Sequence, residues 1–265
     1  MRKRSWQKIA TAWVVPFIFI ITWEILTRQH WLPPSQSAPP SLVAQRLKNL
    51  LMSGELIRQG LYSSGRLLAG VLIGATLGIC SGVFMANSRR VEQYFSPTLQ
   101  FLAPIPVIVW IPFLIMFLGL GEASKIAMVA VCAFFLIHVH TFQAMRSVDR
   151  EYLELAAIYE KTYLDKVRFV FLPFAIPSIL TALRVTLALS WVVLFVVEYA
   201  YSDQRDGGLG WFIADARGFG RVEDQFAGVI LLGVIGFLSD RLLVAMQKRL
   251  VDWSDSFEMT LRTAQ

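Results

Sequence analysis

The chain has 265 residues, of which 55% are hydrophobic and only 17% are charged, and its formal net charge is +6. A soluble domain of this size carries about 25% charged residues, and here the deficit is concentrated, because 67–88, 93–121 and 126–145 contain no Asp, Glu, Lys or Arg. About 20 apolar residues cross the hydrocarbon core of a membrane as a helix. These runs exclude a single soluble core and predict an all-α, polytopic membrane protein.

We predict about six transmembrane helices within one domain that covers residues 1–265. The basic start, Met1–Arg4, resembles the beginning of a signal peptide. No small-residue cleavage site follows the first apolar run, so we expect that run to remain as a helix. The predicted spans lie at about 9–27, 64–87, 97–118, 124–145, 176–200 and 225–246.

The distribution of Lys and Arg predicts the orientation of these spans. With the N-terminus in the cytoplasm, the cytoplasmic segments hold 14 Lys and Arg, whereas the outer segments hold 8. An excess of these residues marks the cytoplasmic side of a membrane protein. We therefore expect both termini to be cytoplasmic.

The long outer segment, 28–63, contains an amphipathic pattern that begins near Ser41 and ends before Gly54. This pattern predicts a short helix on the outer surface, capped by Ser41 and ended by Gly54. In the second span, glycine recurs at every fourth position, which makes one smooth helix face for close packing. These glycines are Gly70, Gly74, Gly78 and Gly82.

Proline is concentrated in the third span. Each proline lacks an N–H and clashes with the preceding helical turn. The carbonyls freed in this way are tolerated at membrane depth only when they are buried in protein or face a water-filled cavity. We expect this helix to be bent and central, although a purely structural kink is the alternative. The prolines are Pro97, Pro104, Pro106 and Pro112.

The cytoplasmic segment 146–173, between the fourth and fifth spans, carries the most informative motif. Its first part has helical spacing, with Leu153, Ala156, Ala157 and Glu160 on one side. It resembles the cytoplasmic loop of permeases from binding-protein-dependent ABC importers, whose pattern is Glu-Ala-Ala, three residues, Gly, nine residues, an aliphatic, any residue, Leu-Pro. Here the pattern is matched by Glu154, Leu155 and Ala156 at its start, Glu160 at the glycine position, and Val170, Leu172 and Pro173 at its end.

Two residues depart from that pattern. Leu155 replaces Ala, and Glu160 replaces a Gly that could turn with positive φ at no cost. The resemblance implies that this segment is the coupling helix, which sits in a cleft of the ATPase subunit. The residues that would couple to the ATPase are Glu154, Leu155, Ala156, Ala157, Glu160, Leu172 and Pro173.

The resemblance extends over roughly 31–253 and is strongest to the taurine, alkanesulfonate and nitrate permeases. It implies the type I permease fold in a bacterial inner membrane, a second permease copy, two cytoplasmic ATPase subunits and a periplasmic or lipid-anchored binding protein. The group also includes transporters of thiamin-type pyrimidine precursors and riboflavin, which remain alternatives to a small organic sulfonate. The similar stretches are Leu32–Ser35, Pro104–Pro112, Phe117–Ile126, Val197–Glu198, Gly207–Trp211 and Asp240–Trp253.

Five residues are candidates for the transport pathway. Pro104, Pro106 and Trp110 belong to the bent third span. Arg184 lies in the fifth span, where a charge is costly and is by default a functional candidate; it could meet a sulfonate, reach the cytoplasmic surface or form a pair. Glu198 ends the same span, and we expect it to face an outer vestibule. At the outer turns, Glu122, Lys125, Asp203 and Asp206 could meet the binding protein or be solvated.

The sequence also argues against other functions. No glycine-rich loop ends in Lys-Ser or Lys-Thr, and no nucleophile, base and acid share a face, so we expect neither catalysis nor ATP hydrolysis by this chain. His138 and His140 point to different sides of a helix, and Cys80 and Cys132 have no metal-like spacing, so we predict no metal, cofactor or nucleic acid. An ion-coupled carrier and an intramembrane enzyme are the alternative classes.

Overall fold

The computed structural model describes residues 2–159 and 162–250, and every regular element in these ranges is a helix. The predicted all-α fold is therefore confirmed. A 3-10 turn, Val107–Trp110, precedes α5, and a π-helical turn, Val167–Phe171, precedes α9. The helices are α1 (Arg2–Arg28), α2 (Pro40–Met52), α3 (Glu55–Asn87), α4 (Arg89–Leu102), α5 (Ile111–Leu118), α6 (Glu122–Arg146), α7 (Arg150–Ile158), α8 (Tyr163–Lys166), α9 (Leu172–Tyr201), α10 (Leu209–Gly218) and α11 (Val222–Leu250).

Four helical stretches of the described ranges are long and apolar enough to cross a membrane: Glu55–Asn87, Glu122–Arg146, Val167–Tyr201 and Val222–Arg249. The predicted second, fourth, fifth and sixth spans lie inside them. The third span corresponds to α4 and α5, which qualify together as a fifth crossing but are bent by 97°. The predicted first span lies within α1, and the total of six crossings remains a prediction.

The bend between α4 and α5 has a local cause. Pro104 and Pro106 lie in the break between the two helices, where neither can donate a backbone hydrogen bond. Pro97 lies inside α4 and Pro112 in the first turn of α5, positions that do not break their helices. The predicted bend is confirmed, and two of the four prolines account for it.

The glycine face of α3 packs directly against α6. A Cβ atom added to Gly74 would lie 2.3 Å from the carbonyl oxygen of Ala130, and one added to Gly70 would lie 2.5 Å from the Cβ of Val129. Gly78 and Gly82 meet α6 in the same way. Because only glycine lets two helix backbones approach this closely, the prediction of tight packing is confirmed.

Helix α6 also packs against α9, so it forms the centre of the bundle. Its Val129 is fully buried in one cluster with Leu67 and Val71 of α3 and with Leu187 and Trp191 of α9. This packing brings together the ends of α3, α6 and α9 that the sequence predicts to lie outside. The polar site described below lies at these ends.

The segment 28–63 contains α2 and the segment 201–224 contains α10, and the sequence predicts both segments to lie outside. Helix α10 is inserted among its neighbours, because Leu209, Phe212 and Ile213 are buried together with residues of α2, α3 and α11. Helix α2 follows the predicted pattern and ends before Gly54, but Ser41 does not cap it. Instead the carboxylate of Glu24 accepts the backbone N–H of Ser41 at 2.9 Å, which places a negative charge at the helix N-terminus.

Candidate functional site

The segment that the sequence predicts to couple to the ATPase begins with a helix, as expected. Within α7, Ala156 is buried, with 7% of its surface exposed, and α7 packs against the π-helical turn of the same chain. Glu154 and Leu155 are exposed. The side chain of Ala157, and Glu160 at the usual glycine position, lie outside the described residues.

The exposed face of α7 carries large apolar side chains, beside the exposed Glu151, rather than small residues. Tyr152, Leu155, Ile158 and Tyr159 are all exposed, Ile158 to 76%. Their spacing of three to four residues places them along one side of the helix. We had expected the face that carries Ala156 to enter a partner. The burial of Ala156 accompanies the packing of α7 on the π-helical turn of its own chain, and the coupling role of this residue stays a prediction.

The end of the coupling segment leads directly into α9. Leu172 and Pro173 occupy the first turn of α9 and are half-buried. Pro173 has no N–H to donate to the carbonyl four residues earlier, and the wide π-helical turn Val167–Phe171 lies immediately before it. From Tyr163 onward, α8, the π-helical turn and α9 follow one another without a break, so the last part of the coupling segment continues directly into the fifth span.

The break in the third span borders a cavity. This cavity has a volume of about 410 Å³ and lies between the Pro104–Pro106 break, α6 and α9. Pro106 lines it, whereas Trp110 faces a separate apolar cavity of about 610 Å³ beside α3 and α6. Pro106 and Trp110 of the third span therefore border different cavities. The first cavity is lined by Ala103, Ile105, Pro106, Val107, Ile108, Cys132, Phe135, Leu136, Val139, His140, Leu189, Val192 and Val193.

Arg184 forms an ion pair within the chain. Its Nε donates to Oδ1 of Asp240 at 2.6 Å, and its Nη2 donates to Oδ2 at 3.1 Å. Pairing was one of the three outcomes that the sequence left open. The pair joins α9 to α11, and both side chains are partly exposed, at 52% and 36%.

Glu198 does not face a vestibule. Only 1% of its side chain is exposed, and its carboxylate accepts hydrogen bonds from Nη1 of Arg66 (2.6 Å), Oγ of Ser63 (2.7 Å) and the backbone N–H of Gly210 (3.1 Å). The expectation of an open, outward-facing carboxylate is therefore wrong. Glu198 instead holds the N-terminus of α10 against α3.

Arg66 is the centre of this polar network. Its Nε and Nη2 donate to Glu122, its Nη1 donates to Glu198 and to the carbonyl of Gly207 at 3.0 Å, and its Nη2 also donates to the carbonyl of Asp206 at 2.5 Å. These bonds use all five N–H donors of a guanidinium. Four separate elements, α3, α6, α9 and the segment before α10, therefore meet at one side chain.

Residues that we had expected at solvated outer turns belong to the same network. Lys125 is buried and donates to Asp206 at 2.5 Å. Asp203 accepts the backbone N–H groups of Arg205 and Asp206, and these bonds hold the pKa of its carboxyl below the usual value. We define the outer network as Gln59, Ser63, Arg66, Glu122, Lys125, Glu198, Asp206, Gly207 and Gly208.

Sequence reasoning missed the part of this network that α3 contributes. Gln59 accepts the backbone N–H of Gly208 at 2.7 Å, and Ser63 accepts that of Leu209 at 2.9 Å. Gln59, Ser63 and Arg66 recur at helical spacing just before the charge-free run of the second span. That polar stripe at the edge of an apolar helix was the available signal.

Comparison with known proteins agrees with the fold and the motif. The family model described as "Binding-protein-dependent transport system inner membrane component" matches residues 41–252. A protein of Bacillus subtilis (strain 168) named as an aliphatic sulfonates transport permease, SsuC, is 33% identical over 258 residues, which are 97% of this chain and 91% of that protein. The taurine transport system permease protein TauC of Escherichia coli (strain K12) is 26% identical over 240 residues, which are 89% and 86% of the two chains.

A solved structure shows the same fold. In the crystal structure of a bacterial ABC transporter involved in the import of the acidic polysaccharide alginate, one chain superimposes with a TM-score of 0.64 at 14% identity, covering 93% of this chain and 99% of that one. The family model covers more than half of the sequence, so this chain belongs to the family. It is a multi-pass membrane permease of a binding-protein-dependent ABC importer and not the ATPase. This assignment displaces the ion-coupled carrier and the intramembrane enzyme.

Proposed function

We propose that this permease passes a small organic sulfonate, such as taurine or an alkanesulfonate, across the bacterial inner membrane. It would act with a second copy of itself, two cytoplasmic ATPase subunits and a periplasmic or lipid-anchored binding protein. The names of the SsuC and TauC relatives support the substrate class. Nitrate, a thiamin-type pyrimidine precursor and riboflavin are the competing substrates.

The observation that carries the coupling role is the exposed apolar face of α7. Tyr152, Leu155, Ile158 and Tyr159 project from a segment that the charge distribution places in the cytoplasm. Exposed contiguous apolar side chains on such a segment indicate a protein interface, and aromatic residues are typical anchors of interfaces. We therefore assign ATPase docking to this face.

Co-purification tests this assignment. The double substitution Leu155→Asp with Ile158→Asp places two charges in the proposed interface, and the amount of ATPase that co-purifies should fall at least about tenfold because unpaired buried charges are costly. Phe219→Asp, which adds one charge at an exposed aromatic residue just after α10, is the matched control and should leave co-purification unchanged. Equal recovery of the ATPase with both variants would contradict the assignment.

The substrate is best tested on the binding protein, because that partner selects the solute in binding-protein-dependent systems. A ligand present at 100 times its Kd should stabilise the binding protein by about 2.7 kcal/mol. We expect stabilisation by taurine or an alkanesulfonate in a thermal-shift screen. Stabilisation by a pyrimidine or a flavin, with none by a sulfonate, would overturn the proposed substrate but leave the importer family unaffected.

A further inference from the structure

The Arg184–Asp240 pair lies at membrane depth. Arg184 is 17 residues before the end of α9 at Tyr201, and Asp240 is 18 residues after the start of α11 at Val222. At about 1.5 Å per residue, both lie about 26 Å from the outer ends of their helices, within a hydrocarbon core of about 30 Å. The pair is thus about 4 Å from the predicted cytoplasmic boundary of the core, where charged side chains face protein, a water-filled space or the membrane surface.

The exposed face of α9 connects this pair to the cavity at the break of the third span. Leu189 and Val192 line that cavity, and Val185, one turn closer to Arg184, is exposed on the same side of the helix. Residues at this spacing share one face. The cavity and the ion pair are therefore two parts of one continuous surface along α9.

The Arg184–Asp240 pair is held in place by a neighbouring contact, but its two side chains can form further hydrogen bonds. About two turns further along α9, Nε1 of Trp191 donates to Oγ of Ser239 at 3.0 Å, which fixes α9 against α11. Within the described part of the chain, Arg184 uses only Nε and one Nη2 donor, so Nη1 and its two N–H groups point to no protein acceptor. Each oxygen of Asp240 receives a single hydrogen bond from Arg184 and retains a further lone pair.

We propose that Arg184 and Asp240 together form a subsite for a zwitterionic sulfonate. This subsite presupposes the proposed function in sulfonate transport. The two N–H groups of Nη1 of Arg184 would donate to the sulfonate oxygens, since charge-assisted hydrogen bonds from a guanidinium to an oxyanion are strong. The carboxylate of Asp240 would receive the ammonium group. An ion pair offers both signs of charge about one hydrogen-bond length apart, which matches a short aminosulfonate better than a simple alkanesulfonate.

Transport by the reconstituted complex, with binding protein and ATPase, tests this subsite using taurine and ethanesulfonate as the two probes. Asp240→Asn removes the contact to the ammonium and leaves Arg184 free. We expect taurine transport at saturating binding protein to fall about tenfold and ethanesulfonate transport to change less than about threefold, because charge-assisted hydrogen bonds are the strong ones. The same binding protein serves every assay, so a changed ratio of the two rates belongs to the permease.

Three further variants separate the subsite from a structural pair. Arg184→Gln should slow both sulfonates, whereas Arg58→Gln, which breaks the exposed pair with Glu55 at the outer end of α3, should slow neither. The charge exchange of Arg184→Asp with Asp240→Arg restores the ion pair if either single variant fails to assemble. Gel filtration of each variant reports whether the pair instead joins two copies of the permease.

The outcomes are distinguishable. If the wild-type complex transports no sulfonate, the proposed function is wrong. If it transports both sulfonates and Asp240→Asn slows them equally, or if the variants only change the oligomeric state, the proposed function stands and the zwitterion subsite is wrong. A selective loss of taurine transport supports the subsite.

Discussion

Removing Arg66 should destabilise the permease more than removing any exposed arginine. The guanidinium is buried and donates all five of its N–H groups to two carboxylates and two carbonyls. Arg66→Gln would leave Glu198, with 1% of its side chain exposed, without its cationic partner. Breaking a buried ion pair from one side costs about 3–5 kcal/mol. Ser63 and Gly210 still donate to Glu198, so we expect the lower end of that range.

Substitution of the partner carboxylate, Glu198, should destabilise the permease less than Arg66→Gln. Glu198→Gln leaves Arg66 paired with Glu122 and with two carbonyls, and its amide oxygen can still accept from Nη1. We expect a cost of about 1–3 kcal/mol, which is typical of an imperfectly satisfied buried polar group. The double variant should be less destabilised than the sum of the two single variants, because neither charge is then left alone.

Thermal denaturation in detergent, followed as loss of the monodisperse gel-filtration peak, ranks the stabilities of these variants. Arg58→Gln is the control, since an exposed ion pair contributes about 0–1 kcal/mol. Such unfolding is often irreversible, so the variants must be compared at one heating rate. If Arg66→Gln and Arg58→Gln lose stability equally, the outer network does not hold α10 in place and this account of it fails.

Three other predictions concern packing and topology. Gly74→Leu should sharply reduce the yield of folded protein because its Cβ would meet the carbonyl of Ala130, whereas Gly65→Leu on the same helix, where nothing lies within 4 Å, should be tolerated. Ala156→Arg should expose segment 146–173 to protease because Ala156 is buried against its own chain, whereas Leu155→Arg should not; equal protection of both would contradict the orientation of α7. A cysteine at Phe257, in a chain whose Cys80 and Cys132 are replaced, should be inaccessible to an impermeant reagent outside the cell, and labelling there would refute the cytoplasmic C-terminus.

The elements that depend on local chemistry were predictable from the sequence. The charge-free runs placed the second and fourth spans inside observed helices, the apolar composition of 176–200 and 225–246 did the same for the fifth and sixth spans, and the prolines predicted the break at Pro104–Pro106. The glycines at every fourth residue of α3 predicted its packing. In each case the residues that determine the feature are close together in the sequence, so their spacing alone carries the information.

Features that depend on partners far apart in the sequence were not predictable. Glu198 looks like an interfacial carboxylate because its partner Arg66 is 132 residues away, and Arg184 finds Asp240 56 residues away. The face of α7 that meets the ATPase stays a prediction for a related reason. Small residues suit a partner's groove and a close contact with the same chain equally well, and only the packing of α7 on the π-helical turn distinguishes them.

One helix connects the three places where function is proposed. Leu172 and Pro173 begin α9 directly after the coupling segment, Arg184 faces Asp240 near its middle, and Glu198 ends it within the outer network. The π-helical turn Val167–Phe171, on which α7 packs, has a different hydrogen-bond register and joins α8 directly to α9. We expect a displacement of α7 by the ATPase to reach α9 through this turn. Because the outer network ties α9 to α3 and α6, we expect these three helices to move together and the opening of the pathway to occur at their shared surface with other elements or with the second copy.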